Sequence, residues 1–339
     1  MRGRRSNGRS ATRALRFLIL FLGVGGATHG GFAQSANDPA GSAYAFATPA
    51  EGRAILSTRD EYVRTMSALE RSAQLRTGDK VDEGRFLEFM QGTVLVWTEE
   101  ERRQLRPLIA RLDRFLSGIK WKRPGKILLV RVDAALESGA PHTRANGIML
   151  PKNEFTGTAD QLTYVVSHET FHVLTREDGA LKERLYGAIG FRRCERIEIP
   201  ESVSRMRITN PDAVENRHTI AVRYRGEGVE AMPFLRFKSD KFDTRSGFLG
   251  NARIAWLLVD RERADCRVRT GSAAEAEEVA PQQLQGLFEQ IGRNTQYLAH
   301  PEEILADNFF QLFVSTLRSP PGEVQSPEIL ERLRAILFQ

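Results

Sequence analysis

The sequence predicts an α+β fold in which helical segments at both ends enclose a small sheet and a longer strand-rich stretch. Apolar residues recur at helical spacing across much of 58–117. Short runs of aliphatic residues follow at Ile127–Val132 and Gly147–Leu150, and a strand-and-turn pattern extends over 192–269. The chain has 339 residues, of which 41% are hydrophobic, so it can bury a substantial core.

The charge balance gives no support for a nucleic-acid partner. The formal net charge is +6, but residues 1–33 hold six arginines and no acidic residue. Over the rest of the chain, 43 lysines and arginines balance 43 aspartates and glutamates. Proteins that bind phosphate backbones usually carry an excess of basic residues. We therefore expect no nucleic-acid partner.

Residues 1–33 have the three-part order of a secretory signal peptide. A positively charged leader precedes an apolar run that begins at Phe17, and Gly31 and Ala33 provide small residues before a cut ahead of Gln34. The apolar run is short for a membrane span, and an uncleaved N-terminal anchor is the alternative. No other stretch approaches membrane-spanning length. The sequence thus predicts an exported protein, periplasmic or secreted, with no membrane attachment after signal removal.

Export changes the interpretation of the two cysteines, Cys194 and Cys266. They lie 72 positions apart, whereas cysteine zinc sites usually draw on closely spaced pairs. In an oxidising compartment a disulfide between them is expected. Two buried free thiols are the alternative.

The N-terminal part of the mature chain is predicted to be helical after a flexible start. Residues 34–55 are rich in Ala, Gly, Ser and Pro, which is typical of a flexible segment. Residues 56–120 follow as a helical part, with helices expected over 58–75, 84–97 and 98–116. The third helix begins at Thr98, which forms a capping-box pattern with Glu101.

Residues 121–190 combine the two short strands with a long helix. The helix is expected to begin after Thr158, because Gln161 occupies the position where a capping box places Glu or Gln. Gly179 is a suitable stop for it. This helix carries the most informative motif of the sequence.

The remainder divides into a strand-rich part over 191–275 and a helical C-terminal part over 276–339. Thr219–Tyr224 and Ile254–Val259 are the clearest strands of the former. The latter contains three helical patterns, at 282–291, 302–317 and from Ser326 nearly to the C-terminus.

The motif is His168-Glu169-Thr170-Phe171-His172, which matches the pattern H-E-x-x-H. Residues four apart share one face of a helix, so both imidazoles can bind a single metal ion. Neutral imidazole suits zinc, and Glu169 lies where a general base for hydrolysis is needed. The motif predicts a zinc site with a third protein ligand elsewhere in the chain.

The third ligand is expected further downstream, because no histidine follows His172 closely. Glu303 and Asp307 lie one helical turn apart near the start of a predicted helix. If Glu303 binds zinc, Asp307 can accept a hydrogen bond from the far nitrogen of His168 and fix its tautomer. Glu302 is the alternative ligand, but it has no acid four positions later.

Together these residues resemble the gluzincin group of zinc metallopeptidases, to which thermolysin belongs. The resemblance implies one zinc ion held by His168, His172 and Glu303, with Glu169 as general base and Asp307 as the partner of His168. It also implies a zincin-like core: a small mixed sheet with an edge strand, a metal-binding helix, and a second helix with the Glu ligand.

The resemblance further implies a peptide or protein substrate that pairs with the edge strand, which is expected near Gly147–Leu150. Glu303 follows His172 by 131 positions, which is longer than is usual in gluzincins. The strand-rich part over 191–275 is therefore interpreted as an insertion.

A hydrogen-bond donor for the transition state is expected among residues between the two zinc segments. The candidates are His218, Tyr224, Tyr297 and His300. The predicted function is an exported zinc-dependent metallopeptidase. The alternatives are a zinc amidohydrolase with another substrate, and an exported zinc-binding protein without catalytic activity.

Overall fold

The computed structural model describes residues 41–271, 275–317 and 323–339. The predicted signal peptide over 1–33 and the first part of the predicted flexible segment lie outside the described residues. The helices are α1 (Pro49–Leu56), α2 (Glu61–Thr65), α3 (Ala68–Gln74), α4 (Glu83–Gly92), α5 (Glu99–Ser117), α6 (Ala159–Glu177), α7 (Gly179–Ala188), α8 (Glu201–Ser204), α9 (Gly247–Asn251), α10 (Leu287–Ile291), α11 (Pro301–Ser315) and α12 (Pro327–Leu337). The strands are β1 (Tyr44–Phe46), β2 (Ile127–Val132), β3 (His142–Arg144), β4 (Gly147–Pro151), β5 (Phe191–Arg193), β6 (Arg196–Glu198), β7 (His218–Tyr224), β8 (Glu227–Phe237), β9 (Ala252–Glu262), β10 (Asp265–Val268) and β11 (Glu278–Val279).

The predicted flexible segment over 34–55 is wrong from residue 41 onward. Tyr44 and Phe46 are buried, and β1 pairs in parallel with β2. Thr48 then caps α1 through a reciprocal capping box with Glu51. A strand of three residues is too short to give a periodic signal, so composition suggested disorder where the chain is ordered.

The predicted helix over 58–75 is two helices, because the backbone is extended at Met66 (φ −60°, ψ 133°). Asp60 caps α2 and Ser67 caps α3, so each short helix has its own start signal. The helix predicted over 84–97 ends at Gly92. The capping box of Thr98 and Glu101 at the start of α5 is confirmed.

The first sheet contains four strands in the order β1-β2-β4-β3. β1, β2 and β4 run parallel, and β3 is antiparallel to β4. Side chains alternate between two cores, as expected for a sheet covered on both faces. Ile127 and Leu129 pack in the core that contains α6 and α11, whereas Val130 and Val132 pack against the N-terminal helices.

The expected edge strand near Gly147–Leu150 is interior: β4 pairs with β2 on one side and with β3 on the other. The edge on this side of the sheet is β3, which folds back through a tight turn at Ala145 and Asn146. Ala145 has a φ of 48°, a conformation that usually selects Gly or Asn. Because the residue at this position is neither Gly nor Asn, the sequence gives no clear turn signal for β3.

The second sheet contains β5-β7-β8-β9-β10-β6 in that order, with β11 paired to β9. Cys194 follows β5 and Cys266 lies in β10, and their sulfur atoms are at disulfide distance, 1.98 Å apart. Both cysteines are buried in a small apolar core with Val203 and Phe234. The expected pairing of the two cysteines therefore agrees with the structure.

Helices α6 and α11 pack side by side, both contact α5, and α6 lies against β3 and β4 of the first sheet. Phe171 of α6 contacts Phe309 of α11, with ring centroids 5.4 Å apart, and Phe115 of α5 contacts Phe309 and Phe313. The fold is thus mixed, with helices and two sheets, as the predicted class requires. Within the described part of the chain, no helix is long and apolar enough to cross a membrane.

Candidate metal centre

Helix α6 presents the three motif residues on one buried face. The side chain of Thr158 caps the helix by accepting a hydrogen bond from the backbone amide of Gln161. The rings of His168 and His172 lie with their centroids 4.8 Å apart, as expected for residues one helical turn apart. His168, Glu169 and His172 are only 3%, 4% and 1% exposed.

Helix α11 brings Glu303 against both imidazoles. Its Oε2 lies 3.1 Å from Nε2 of His168 and 3.7 Å from Nε2 of His172. The 131 positions between His172 and Glu303 are bridged because α11 packs directly on α6. The structure therefore gathers the three residues that the sequence predicts as ligands.

Asp307 orients His168. Its Oδ1 accepts a hydrogen bond from Nδ1 of His168 at 3.0 Å and another from the Tyr164 hydroxyl at 2.8 Å. Thr295 donates to the other carboxylate oxygen. With Nδ1 as the donor, the lone pair of Nε2 faces Glu303.

Glu302 has the same relation to His172. Its Oε1 accepts from Nδ1 of His172 at 3.1 Å, and Thr175 and Tyr186 also donate to this carboxylate. Glu302 therefore lies behind the imidazole, and its alternative assignment as the third ligand disagrees with the structure. Sequence reasoning missed this role, although the position beside Glu303 in the first turn of α11 was a usable signal.

The free atoms at the centre fit a cation. Nε2 of His172 and Oε2 of Glu169 are buried, and neither has a hydrogen-bond partner among the described residues. Uncompensated buried polar atoms are costly, so a ligand is expected to satisfy them. Tetrahedral zinc with bonds of about 2.1 Å separates its ligand atoms by about 3.4 Å. The separations of 3.1 and 3.7 Å at Glu303 Oε2 are close to this value.

The electrostatics of the centre also favour a cation. Burial by itself lowers the pKa of His172, but the negative charges of Asp212 and Glu303 raise it to about 9. Burial and the charge of Asp212 raise the pKa of Glu169 to about 8. The acids thus outweigh the bases, and a divalent cation would relieve their repulsion.

A segment that the sequence did not indicate covers this centre. We call residues Thr209–Glu215 the covering segment. The side-chain amide of Asn210 donates to Oε1 of Glu303 at 2.6 Å. Ligand atoms of His172, Asp212 and Glu303 lie within 4.8 Å of one another. An Asn-Pro-Asp turn in a strand-rich region carries no sequence signal of contact with a helix about 40 residues upstream.

Of the four predicted transition-state donors, Tyr297 shares the environment of the site acids. Burial and the charges of Glu303 and Asp212 raise its pKa well above the usual range.

The other three candidates have separate roles. His300 caps α11: its Nδ1 accepts from the Glu302 amide and its Nε2 donates to the Glu215 carbonyl oxygen. His218 donates to Glu183. Tyr224 lies at the end of β7 beneath the guanidinium of Arg225.

Comparisons of the chain with protein-family models, with curated proteins and with solved structures find no match.

Proposed function

We propose that the protein is an exported zinc-dependent peptidase of the gluzincin group, with His168, His172 and Glu303 as metal ligands. The convergence of two imidazole Nε2 atoms on one Glu303 oxygen is the observation that carries this proposal. Two histidines and one glutamate are a donor set of catalytic zinc sites, which keep one position for water or substrate.

The residues around the ligands are assigned separate roles in the reaction. Zinc in this donor set supplies Lewis-acid chemistry, which makes water more acidic and polarises a carbonyl group. Glu169 accepts a proton from the attacking water at Oε2, whose acceptor capacity is unused among the described residues. When the C–N bond breaks, Glu169 returns this proton to the leaving amine. The Tyr297 hydroxyl donates a hydrogen bond to the negative charge that develops on the carbonyl oxygen.

The substrate is proposed to be an extended peptide that pairs with β3. The Thr143 amide points away from β4, because it donates to Asp212 at 2.6 Å. An edge-strand amide that the sheet itself does not use can pair with a peptide backbone by strand addition once its side-chain acceptor is displaced.

Export is supported by the leader over 1–33 and by the cysteine pair, since disulfides persist mainly in oxidising compartments. The strand-rich part over 191–275 is proposed to be an insertion between the two zinc segments.

A zinc-binding protein without catalytic activity is the second candidate, and the position of Asp212 favours it. Its carboxylate lies near His172 and Glu303, and a fourth protein ligand is typical of a structural site. Glu169 argues for the enzyme, because a structural site has no use for a buried carboxylate oxygen without a donor.

Metal content and hydrolysis together test the proposal. We expect about one zinc per chain in the wild type and in Glu169→Gln, and loss of zinc in His172→Ala, with the exposed Glu328→Gln on α12 as a matched control. With Asp212→Ala as the parent, the further substitution Glu169→Gln should reduce hydrolysis of an unstructured protein by at least about a hundredfold. A wild type without zinc overturns the proposal. Zinc without hydrolysis, in the wild type and in Asp212→Ala, supports the second candidate.

A further inference from the structure

The covering segment, Thr209–Glu215, separates the candidate metal centre from solvent. It connects α8 with β7, and no helix or strand of the described chain includes it. The centre beneath it is closed, since His168, His172 and Glu303 are each at most 3% exposed. A polypeptide cannot reach these residues in the conformation that the structure shows.

Asp212 reaches the metal centre from this segment. One oxygen of its carboxylate lies within 4.8 Å of ligand atoms of both His172 and Glu303. The Nε2 atom of His172 is buried and unpartnered in the described chain, and it lies 3.7 Å from Oε2 of Glu303. A carboxylate here can complete a tetrahedral set with the two histidines and Glu303.

The same carboxylate occupies the edge of β3. Oδ1 of Asp212 accepts hydrogen bonds from both the amide and the hydroxyl of Thr143, each at 2.6 Å. This amide is the group that a peptide paired with β3 would use. Asp212 therefore blocks two requirements of peptide hydrolysis at once: the open metal position and the strand edge.

The segment is attached to the rest of the described chain through side-chain contacts and not through sheet pairing. Arg176 donates to the carbonyl oxygens of Pro211 and Asp212 at 3.3 Å, and Asn210 donates to Glu303. These are side-chain hydrogen bonds, so displacement of the segment breaks no sheet pairing. A cleft of about 430 Å³ borders Pro211–Glu215 and gives the segment room to move.

We propose that the covering segment is an internal inhibitor that keeps the enzyme latent. In this proposal Asp212 is a fourth metal ligand and also occupies the backbone amide at the edge of β3. Displacement or cleavage of the segment opens both positions to an extended peptide. This inference rests on the proposed zinc centre, and it explains how a fourth ligand, Asp212, can coexist with the buried general base Glu169.

Two substitutions separate the two functions of Asp212. Asp212→Asn keeps an acceptor for Thr143 but binds zinc poorly, whereas Asp212→Ala removes both interactions. We expect zinc release to a chromogenic chelator to accelerate about tenfold or more in both variants. Hydrogen exchange at the Thr143 amide should accelerate only in Asp212→Ala. The exposed Asp240→Asn serves as the control and should behave as the wild type.

Hydrolysis of an unstructured protein gives a third readout and should increase in Asp212→Ala. Unchanged zinc release in Asp212→Asn, unchanged exchange at Thr143 in Asp212→Ala, or unchanged hydrolysis in Asp212→Ala each overturns the latency proposal. The His172→Ala variant keeps this failure distinct from failure of the zinc centre. If His172→Ala loses zinc while the Asp212 variants behave as the wild type, only the inhibitor is wrong. If His172→Ala retains zinc, the metal centre itself is wrong.

Discussion

Oδ1 of Asp307 accepts a hydrogen bond from Nδ1 of His168 at 3.0 Å, and this contact orients the opposite nitrogen of the ring towards Glu303. The two acids lie one turn apart on α11, so one helix supplies both a candidate ligand and the residue that orients a second ligand. Such a pair is stiff, because the relative position of the two side chains is fixed by the helix backbone.

Asp307→Asn tests this orientation. The amide oxygen can still accept from Nδ1, but without the negative charge the imidazole becomes a weaker base and a weaker ligand. We expect zinc affinity to fall by about 10- to 100-fold, measured by competition with a chelator of known affinity. Asp160→Asn, an exposed position at the start of α6, should leave zinc affinity unchanged. An equal effect of both substitutions would contradict a specific role for Asp307.

Tyr297→Phe tests the transition-state donor. Loss of one such hydrogen bond typically reduces kcat by about 10²- to 10³-fold, and we expect this loss with zinc content unchanged. Tyr224→Phe is the matched control, since Tyr224 lies at the end of β7 beside Arg225. The measurement is kcat for an unstructured substrate in the Asp212→Ala background. A Tyr297→Phe enzyme as fast as its parent would remove Tyr297 from the mechanism.

The sequence could predict the parts of the centre that depend on local helical geometry. His168 and His172 share a face because they are four residues apart, and Glu303 and Asp307 share one for the same reason. The start of α5 was predictable because Thr98 and Glu101 bond each other locally.

The parts that depend on tertiary contacts were not predictable in this way. Asp212 approaches the centre only because the covering segment, which precedes β7 of the second sheet, lies over α6. Glu302 was predictable as an acid near the site. That it accepts a hydrogen bond from Nδ1 of His172, and does not lie at Nε2, depends on how α11 packs on α6. β3 was missed because its turn places Ala145 at a φ of 48° without the expected Gly or Asn.

The pairing of Cys194 with Cys266 should stabilise the strand-rich part. In the chain-entropy account, a link that closes a loop of this length contributes about 4 kcal/mol to the free energy of unfolding. We expect reductant to lower the Tm of the wild type and to leave that of Cys194→Ala/Cys266→Ala unchanged. Two thiols that react in the unfolded, unreduced protein would show that the bond is absent.

Glu70 gives a pH dependence that is separate from the metal centre. It is 1% exposed, and it accepts hydrogen bonds from the Thr209 amide and hydroxyl at one end of the covering segment. Burial raises its pKa to about 7, although hydrogen bonds from Thr209 and Ser67 oppose the shift. The folded protein therefore holds a proton at Glu70 over a pH range in which the unfolded chain, with a pKa near 4.5, has released it.

The sign of the effect follows from proton binding. Between about pH 4.5 and 7 the folded state binds more protons at this position, so the free energy of unfolding falls as pH rises through this range. The contribution of Glu70 should change by about 3 kcal/mol across it. Glu70→Gln keeps the capping geometry of α3 and removes the titration. Denaturant unfolding at several pH values should show a flatter pH profile for Glu70→Gln than for the wild type. Parallel profiles would contradict the assignment.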